Sequence, residues 1–174
     1  MNKLLEIDER LSGRLRVAEK PGLLRTVAVL LGHSGDSWFW LAGLALVYFT
    51  GSEYWKSRAL VLATGIVITA VAVMAIKFTV RRKRPEGELG KIYRKTDPHS
   101  FPSGHAARAV MLAVVEVGLG PAWLGILLVV WAIVVVLARV MMGVHYLSDV
   151  LAGALMGVLM GYLVLLITAG WVQF

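Results

Sequence analysis

Three short polar clusters interrupt a largely apolar sequence, and their residue types suit chemistry on an anion. The first cluster, 77–85, is rich in Lys and Arg, and the second, 101–105, reads Phe-Pro-Ser-Gly-His. The third cluster consists of Arg139, His145 and Asp149. Each cluster alone is typical of the end of a membrane span. Ionisable groups beside a membrane are costly, however, so the combination indicates a function.

The cations and the predicted helix start are suited to binding a phosphoryl group. In the transition state of phosphoryl transfer, negative charge spreads over three equatorial oxygens. Lys77, Arg84 and Arg139 can hold those oxygens, and arginine does so with paired hydrogen bonds. The backbone N–H groups of Ser103 and Gly104 open a predicted helix, whose N-terminus favours an anion. These five residues are predicted to form a phosphate cradle.

Two histidines and one carboxylate supply the remaining groups for covalent phosphoryl transfer. A neutral imidazole can attack phosphorus, and a carboxylate on its far nitrogen fixes the tautomer and stabilises the cation that forms. A second, protonated imidazole can donate to the leaving oxygen. His145 and Asp149 are four residues apart, so they share a helix face and can form a hydrogen bond. With His105 they make up the candidate catalytic group.

These clusters must be held by helices in a membrane. Hydrophobic residues make up 58% of the 174 residues and charged residues 17%, against about 45–50% and 25% in soluble domains. A soluble domain of this size cannot bury so much apolar surface, and a disordered or collagen-like chain is excluded too. The chain has no cysteine, which excludes disulfides, thiolate metal sites and cysteine nucleophiles. The predicted fold is an all-α polytopic membrane helix bundle.

The bundle is predicted to have five transmembrane helices and an N-terminal amphipathic helix in the membrane interface. The five apolar spans are 37–49, 59–76, 104–118, 122–138 and 145–170. Residues 3–19 place apolar side chains three and four apart, which is typical of a helix lying on the membrane surface. The apolar stretch 23–32 is too short to cross a hydrocarbon core that needs about 20 residues. We expect one domain, 1–174, with an interfacial segment, 1–35, and a bundle, 37–170.

Five spans place the N-terminus, the loop 77–104 and the link 139–145 on one side of the membrane, where the three clusters can meet. The net charge is +7, and most Lys and Arg residues lie on that side. Because short cytoplasmic flanks carry an excess of Lys and Arg, the bias predicts an active site on the cytoplasmic side of the inner membrane. Membrane orientation and anionic headgroups account for the charge, so no nucleic-acid partner is expected.

In order and spacing, the clusters resemble the motifs of the type 2 phosphatidic acid phosphatase family, lipid phosphatases related to vanadium haloperoxidases. The family pattern is Lys, six residues, Arg-Pro; then Pro-Ser-Gly-His; then Ser-Arg, five residues, His, three residues, Asp. The matching residues are Lys77, Arg84 and Pro85, then Pro102, Ser103, Gly104 and His105, then Arg139, His145 and Asp149. Ala138 stands where the family usually has Ser, and many members have six spans where five are predicted here.

The resemblance implies a role for each matching residue. His145 is implied to be the nucleophile that forms a phosphohistidine, Asp149 to orient it, and His105 to be the general acid. The phosphate is implied to be bound by Lys77, Arg84, Ser103, Gly104 and Arg139. No metal or other cofactor is implied, because protein cations do the work that Mg²⁺ does in kinases. The implied substrates are lipid phosphates or diphosphates: phosphatidic acid, phosphatidylglycerol phosphate, a polyprenyl diphosphate and a phosphorylated saccharolipid all qualify.

Other interpretations of the same residues stay open. A non-enzymatic transporter or channel subunit with an anion-binding vestibule would need the same cations, and His105, His145 and Asp149 could together hold a metal. Residues 32–35 match the Gly-x-Ser-Gly of rhomboid proteases, although no obvious partner histidine lies deep in a later span. A vanadate-dependent peroxidase would share the motifs, but its known relatives are soluble and larger.

The last predicted span carries glycines four residues apart that continue the face of His145 and Asp149. Small residues at this spacing let helices pack closely in lipid. The face of Gly153, Gly157 and Gly161 is therefore predicted to pack within the bundle, which keeps His145 pointed inward, or else to form a homodimer contact.

Overall fold

The computed structural model describes residues 3–170, which form eight α-helices and no β-strand. The helices are α1 (Lys3–Leu15), α2 (Leu23–His33), α3 (Ser37–Thr50), α4 (Glu53–Val80), α5 (Glu88–Thr96), α6 (Gly104–Leu119), α7 (Ala122–Met141) and α8 (Leu147–Ile167). The all-helical class is thereby confirmed. Three helices, α4, α7 and α8, are long and apolar enough to cross a membrane. Since α3 and α6 have only 14 and 16 residues, the count of five transmembrane helices stays a prediction.

The bounds of most helices differ by a few residues from the predicted spans: α8, for example, begins at Leu147, so His145 lies just before the helix. Three further differences concern α4, α1 and α5. α4 begins earlier and ends later than the predicted span 59–76, so Lys77 lies on its last turn, while Arg81 and the other arginines of the basic cluster follow the helix. α1 ends at Leu15, before the predicted end at residue 19. α5 lies in the polar loop 77–104, where no periodicity predicts a helix. Only Leu89 and Tyr93 of α5 pack partly buried against an apolar cluster, which is too few residues for a visible pattern.

α6 lies at the centre of the bundle, and six of its 16 residues are glycine or alanine, which lets its neighbours approach closely. It packs against α4, α7 and α8, while α3 lies on α4 and α2 lies on α7. Ala106, Ala107 and Ala109 are fully buried. The first turn of α6 carries the Pro-Ser-Gly-His cluster, so the central position of this helix brings that cluster close to the neighbouring helix ends.

Large apolar side chains cover the outside of the long helices. On α8, Leu151, Leu155 and Leu159 are each more than half exposed, as are Ile126 and Leu127 on α7. In water, an apolar surface this continuous would be an aggregation site. In a bilayer it contacts acyl chains, so the outer surface is that of a membrane-embedded bundle.

The glycine face of α8 packs against α6. A Cβ atom added to Gly153 would lie 2.5 Å from the Ser103 carbonyl oxygen, and one added to Gly157 would clash with the Ala107 carbonyl oxygen. Gly161 faces α6 in the same way. The prediction that this face packs within the bundle is confirmed. A dimer contact through it is wrong, because α6 occupies it, and a homodimer through another surface stays a prediction.

Replacing Gly157 by Ala should destabilise the bundle, because a methyl group has no room between α8 and the α6 backbone. We expect the free energy of unfolding to fall by about 1–3 kcal/mol, as in other overpacked cores. The measurement is thermal unfolding of the purified protein in detergent. The matched control is Gly43→Ala on α3, where the added Cβ meets open space and helix propensity rises. Equal melting temperatures for the two variants would contradict the close α6–α8 contact.

Candidate active site

The second and third clusters meet where α6 and α8 begin. The Ser103 side chain caps α6 by accepting a hydrogen bond from the Ala106 N–H at 3.5 Å. The Ser103 N–H donates to the backbone carbonyl of Asp149 at 2.9 Å, which fastens the start of α6 to the first turn of α8. His105 and His145 consequently line one cavity of about 210 Å³.

The tautomer of His145 follows from its neighbours. The ring is fully buried, and its Nε2 lies 3.1 Å from Nη1 of Arg84. A guanidinium group can only donate, so Nε2 accepts and a neutral ring carries its proton on Nδ1. Nδ1 lies 3.6 Å from Oδ2 of Asp149. Burial beside a cation disfavours the imidazolium form, so Nε2 of His145 is unprotonated and its lone pair points towards Arg84.

Asp149 is held in place by donors other than His145. Its Oδ2 accepts from the Tyr146 N–H at 2.9 Å, and its Oδ1 accepts from Nη1 of Arg82 at 2.8 Å. Nη2 of Arg82 donates to Asp8 on α1 at 2.7 Å. The carboxylate therefore has a fixed orientation within reach of His145, at a distance that can shorten when the imidazole gains positive charge.

Two cations of the phosphate cradle converge on an acidic residue. Lys77 donates to Oδ2 of Asp97, and Nη2 of Arg84 donates to the same oxygen at 2.8 Å. Burial opposes ionisation of Asp97, but the hydrogen bond and charge of Lys77, with the charge of Arg84, outweigh it and hold the pKa of Asp97 below its usual value. Asp97 is thus ionised at neutral pH and partly neutralises the cradle.

Arg139, unlike Lys77 and Arg84, has buried N–H groups without a hydrogen-bond partner among residues 3–170. It is fully buried, and its Nη1 donates to the Tyr93 hydroxyl at 3.0 Å. Its Nε and Nη2 are buried and have no hydrogen-bond partner among residues 3–170. A buried cation with unused donors is destabilising until an anion pairs with it. Arg139 is therefore arranged to bind an anion that enters the site.

The two backbone N–H groups of the predicted cradle differ in their hydrogen bonds. The Ser103 N–H donates to the Asp149 carbonyl, so a phosphate would have to replace that bond in order to contact it. Gly104 follows at the first position of α6, and no acceptor within the described part of the chain takes its N–H. The Gly104 N–H is therefore available to an anion, and the phosphate contacts of both residues stay predictions.

α1 supports the site from the membrane surface. Its Asp8 accepts a hydrogen bond from the Ser148 N–H at 3.0 Å, and its Ser12 accepts one from the Leu147 N–H at 2.8 Å. These N–H groups are free donors at the start of α8. The amphipathic helix therefore caps the helix that carries Asp149, a contact that no local pattern reveals.

The sequence analysis does not identify four residues that contact the predicted site residues: Asp36, Asp97, Tyr93 and Arg82. Nε2 of His105 lies 2.5 Å from Oδ1 of Asp36, a residue interpreted from the sequence only as part of a turn. Asp97 and Tyr93 lie in the polar loop without a motif of their own. Arg82 is part of the basic cluster, and this cluster is the one signal in the sequence that points to any of these four residues.

Two of the alternative sites find no support in the structure. The Ser34 hydroxyl donates to a backbone carbonyl and accepts from the Trp131 indole at 2.9 Å, so it is not paired with a histidine as a serine nucleophile would be. Within residues 3–170, no three His, Asp or Glu side chains lie together in an arrangement that could hold a metal ion. This geometry disfavours the two catalytic candidates and Asp149 as joint metal ligands.

A helix bundle that brings two histidines, a carboxylate and a set of cations to one end defines a class of membrane phosphatases. The model of the PAP2 superfamily matches residues 58–172, which contain all three clusters. The chain belongs to this superfamily, and the resemblance noted in the sequence is confirmed.

Relatives with this architecture are phosphatases of lipid phosphates. The decaprenylphosphoryl-5-phosphoribose phosphatase of Mycobacterium tuberculosis is 32% identical over 149 residues, covering 85% of this chain and 82% of the relative. The undecaprenyl-diphosphatase of Sulfolobus acidocaldarius is 30% identical over 137 residues, covering 77% and 66%. A transmembrane PAP2 type phosphatidylglycerolphosphate phosphatase from Bacillus subtilis has a TM-score of 0.79 and 25% identity, covering 100% of this chain and 90% of that protein. With three long apolar helices, these similarities support an integral membrane protein.

The position of Asp97 predicts that this carboxylate competes with an incoming anion for Lys77 and Arg84. Replacing Asp97 by Asn removes one negative charge beside the cradle, so orthovanadate should bind at least about fivefold more tightly. Isothermal titration calorimetry on the purified protein measures this. The matched control is Glu88→Gln, which removes an exposed carboxylate that pairs with Arg25 and should leave the affinity unchanged. Weaker vanadate binding by Asp97→Asn would show that Asp97 orients the cations instead.

Proposed function

We propose that this protein hydrolyses a lipid phosphate or diphosphate by transferring the phosphoryl group first to His145 and then to water. The observation that carries the proposal is the position of the unprotonated Nε2 of His145. It lies beside Arg84 in the cavity that His105 and Lys77 also line. A nucleophile, a general acid and phosphate-binding cations therefore share one space.

The first chemical step forms a phosphorus–nitrogen bond and breaks the bond to the leaving oxygen. Nε2 of His145 attacks phosphorus while Lys77, Arg84 and the free donors of Arg139 hold the equatorial oxygens. The proton on Nδ1 stays with the ring, and the Asp149 carboxylate stabilises the imidazolium character that develops. A protonated His105 gives its proton to the leaving oxygen.

The second step returns His145 to its starting state. With its proton gone, His105 can accept a proton from a water molecule that attacks the phosphohistidine. The phosphorus–nitrogen bond breaks, inorganic phosphate leaves, and the His145 ring is again neutral. No step needs a metal, since the three basic side chains supply the positive charge at phosphorus.

The lining of the cavity favours a lipid as substrate. From Lys77 the wall continues along α4 past Thr69, Ala70, Val73 and Met74, and α4 is one of the long apolar helices. A phosphate held at the cations therefore has an apolar surface beside it for the attached chain. Phosphatidic acid, phosphatidylglycerol phosphate, polyprenyl diphosphates and phosphorylated saccharolipids share this chemistry. A panel of these four lipids, assayed with the purified protein for phosphate release, ranks them.

The histidine roles predict different fates for two variants. His145→Ala should release no phosphate and form no phosphoenzyme, because it has no nucleophile. His105→Ala should accumulate a phosphoenzyme from a substrate with a good leaving group, because it retains the nucleophile but cannot activate water. Rapid denaturation after incubation with radiolabelled substrate, followed by a test for the acid lability of phosphohistidine, measures both.

The control for these variants is His99→Gln, whose ring packs on Phe78 and should label and turn over like the parent protein. Full labelling of His145→Ala would contradict the assignment of the nucleophile. Activity that is lost in excess chelator and restored by a divalent ion would favour a metal-dependent mechanism. Binding of lipid phosphate without any phosphate release in the parent protein would favour the anion-transporter alternative.

The charge bias predicts that the site faces the cytoplasm. Because the chain has no cysteine, single cysteines can be introduced at Lys91, on α5 beside the site, and at Lys56, at the opposite end of α4. A membrane-impermeant maleimide applied to intact cells should label the Lys56→Cys variant and leave the Lys91→Cys variant unlabelled until the cells are lysed. Selective labelling at position 91 would place the site on the outer side.

A further inference from the structure

A chain of hydrogen bonds leads from His105 to Arg139 through side chains outside the family motifs. Nε2 of His105 contacts Oδ1 of Asp36 at 2.5 Å, and Oδ2 of Asp36 contacts Nδ1 of His33 at 3.0 Å. Nε2 of His33 contacts the Tyr93 hydroxyl at 2.9 Å, and this hydroxyl also accepts from Nη1 of Arg139 at 3.0 Å.

The direction of each bond in this chain follows from its charged groups. An ionised carboxylate can only accept, so Nδ1 of His33 donates to Asp36, and a neutral His33 accepts at Nε2. Arginine can only donate, so the Tyr93 oxygen accepts from Arg139 and the Tyr93 O–H donates to Nε2 of His33. The second oxygen of Asp36 is left to accept from Nε2 of His105.

We infer that Asp36 is the positioning residue of the general acid, holding Nε2 of His105 so that Nδ1 carries the proton for the leaving oxygen. The inference rests on the proposed function and extends it to residues in the turn between α2 and α3. Asp36 contacts Nε2 of His105 at 2.5 Å, and Asp149 lies 3.6 Å from Nδ1 of His145, so each candidate catalytic histidine has a carboxylate near its ring.

The surroundings of Asp36 keep it ionised and in one orientation. Burial opposes its ionisation, but the hydrogen bonds from His105 and His33 outweigh burial and hold the pKa of Asp36 below its usual value. The His33 ring stacks on Tyr93 at a centroid distance of 5.8 Å. This stacking holds Nδ1 of His33 beside Oδ2 of Asp36. A carboxylate with both oxygens engaged keeps the His105 ring from rotating and favours its protonated form.

A positioning role predicts that the effect of Asp36 depends on the leaving group. An alkyl oxygen leaves poorly without a proton, whereas p-nitrophenolate leaves readily without one. Asp36→Asn should lower kcat for a prenyl monophosphate by about 100-fold or more, the usual contribution of a general acid, and leave KM within about threefold. For p-nitrophenyl phosphate, kcat should fall less than about fivefold. Asp36→Glu, which keeps the carboxylate, should recover part of the prenyl phosphate activity.

A double-mutant cycle with His105 completes the test. If Asp36 acts through His105, then Asp36→Asn should cost little in a His105→Asn background. The control is Ser34→Ala, in the same turn but outside the chain of hydrogen bonds. If Asp36→Asn does not fold, His33→Gln tests the same chain with a smaller loss of the same leaving-group dependence.

An equal loss for both substrates, or additive losses in the cycle, would overturn the inference and leave Asp36 a purely structural residue. Parent protein that hydrolyses neither substrate would instead contradict the proposed function. The two failures are therefore distinguishable.

Discussion

The hydrogen bond from the Ser103 N–H to the Asp149 carbonyl joins the starts of the two helices that carry the reactive groups. It can form only where α6 and α8 approach closely, which the small residues of both helices allow. The two helix starts therefore lie side by side, and His105 and His145 line one cavity. The glycines of α8 contribute to the site through this packing, although they take no part in the proposed chemistry.

The second constraint is electrostatic: several cations have to be accommodated in a buried site from which most water is excluded. Lys77, Arg84 and Arg139 lie around the buried His145 imidazole and disfavour its imidazolium form, as the proposed role of a nucleophile requires. Asp97 offsets part of this charge while Arg139 keeps two donors unused. An entering phosphate therefore exchanges one anionic partner for another at Lys77 and Arg84 but supplies a new partner at Arg139. Most of the net binding energy should therefore come from Arg139, whose Nε and Nη2 have no hydrogen-bond partner among the described residues before the phosphate enters.

The residues that belong to one sequence motif could be predicted. The residues that are distant in sequence and meet only in the folded structure could not. His145 and Asp149 lie one helical turn apart, so periodicity alone pairs them, and the spacing of the basic cluster places Lys77 and Arg84 at the end of one span. Asp36 and His105 are 69 residues apart and belong to different helix junctions. α5 is not predicted because its contacts are with residues distant in sequence, such as His33 on α2 and Arg139 on α7. The Ser103 N–H has no evident partner in the sequence, because its acceptor belongs to α8.

The capping of α8 by Asp8 and Ser12 links the first helix of the chain to the last. Asp8 and Ser148 are 140 residues apart, so a ribosome that adds about 5–20 residues per second needs roughly 7–28 s to supply the second after the first. During this time α1 has no α8 to cap. Its amphipathic face can bind to the membrane interface while the intervening helices are inserted. This end of the bundle can consequently be completed only late in biosynthesis, when the start of α8 has reached the caps that α1 supplies.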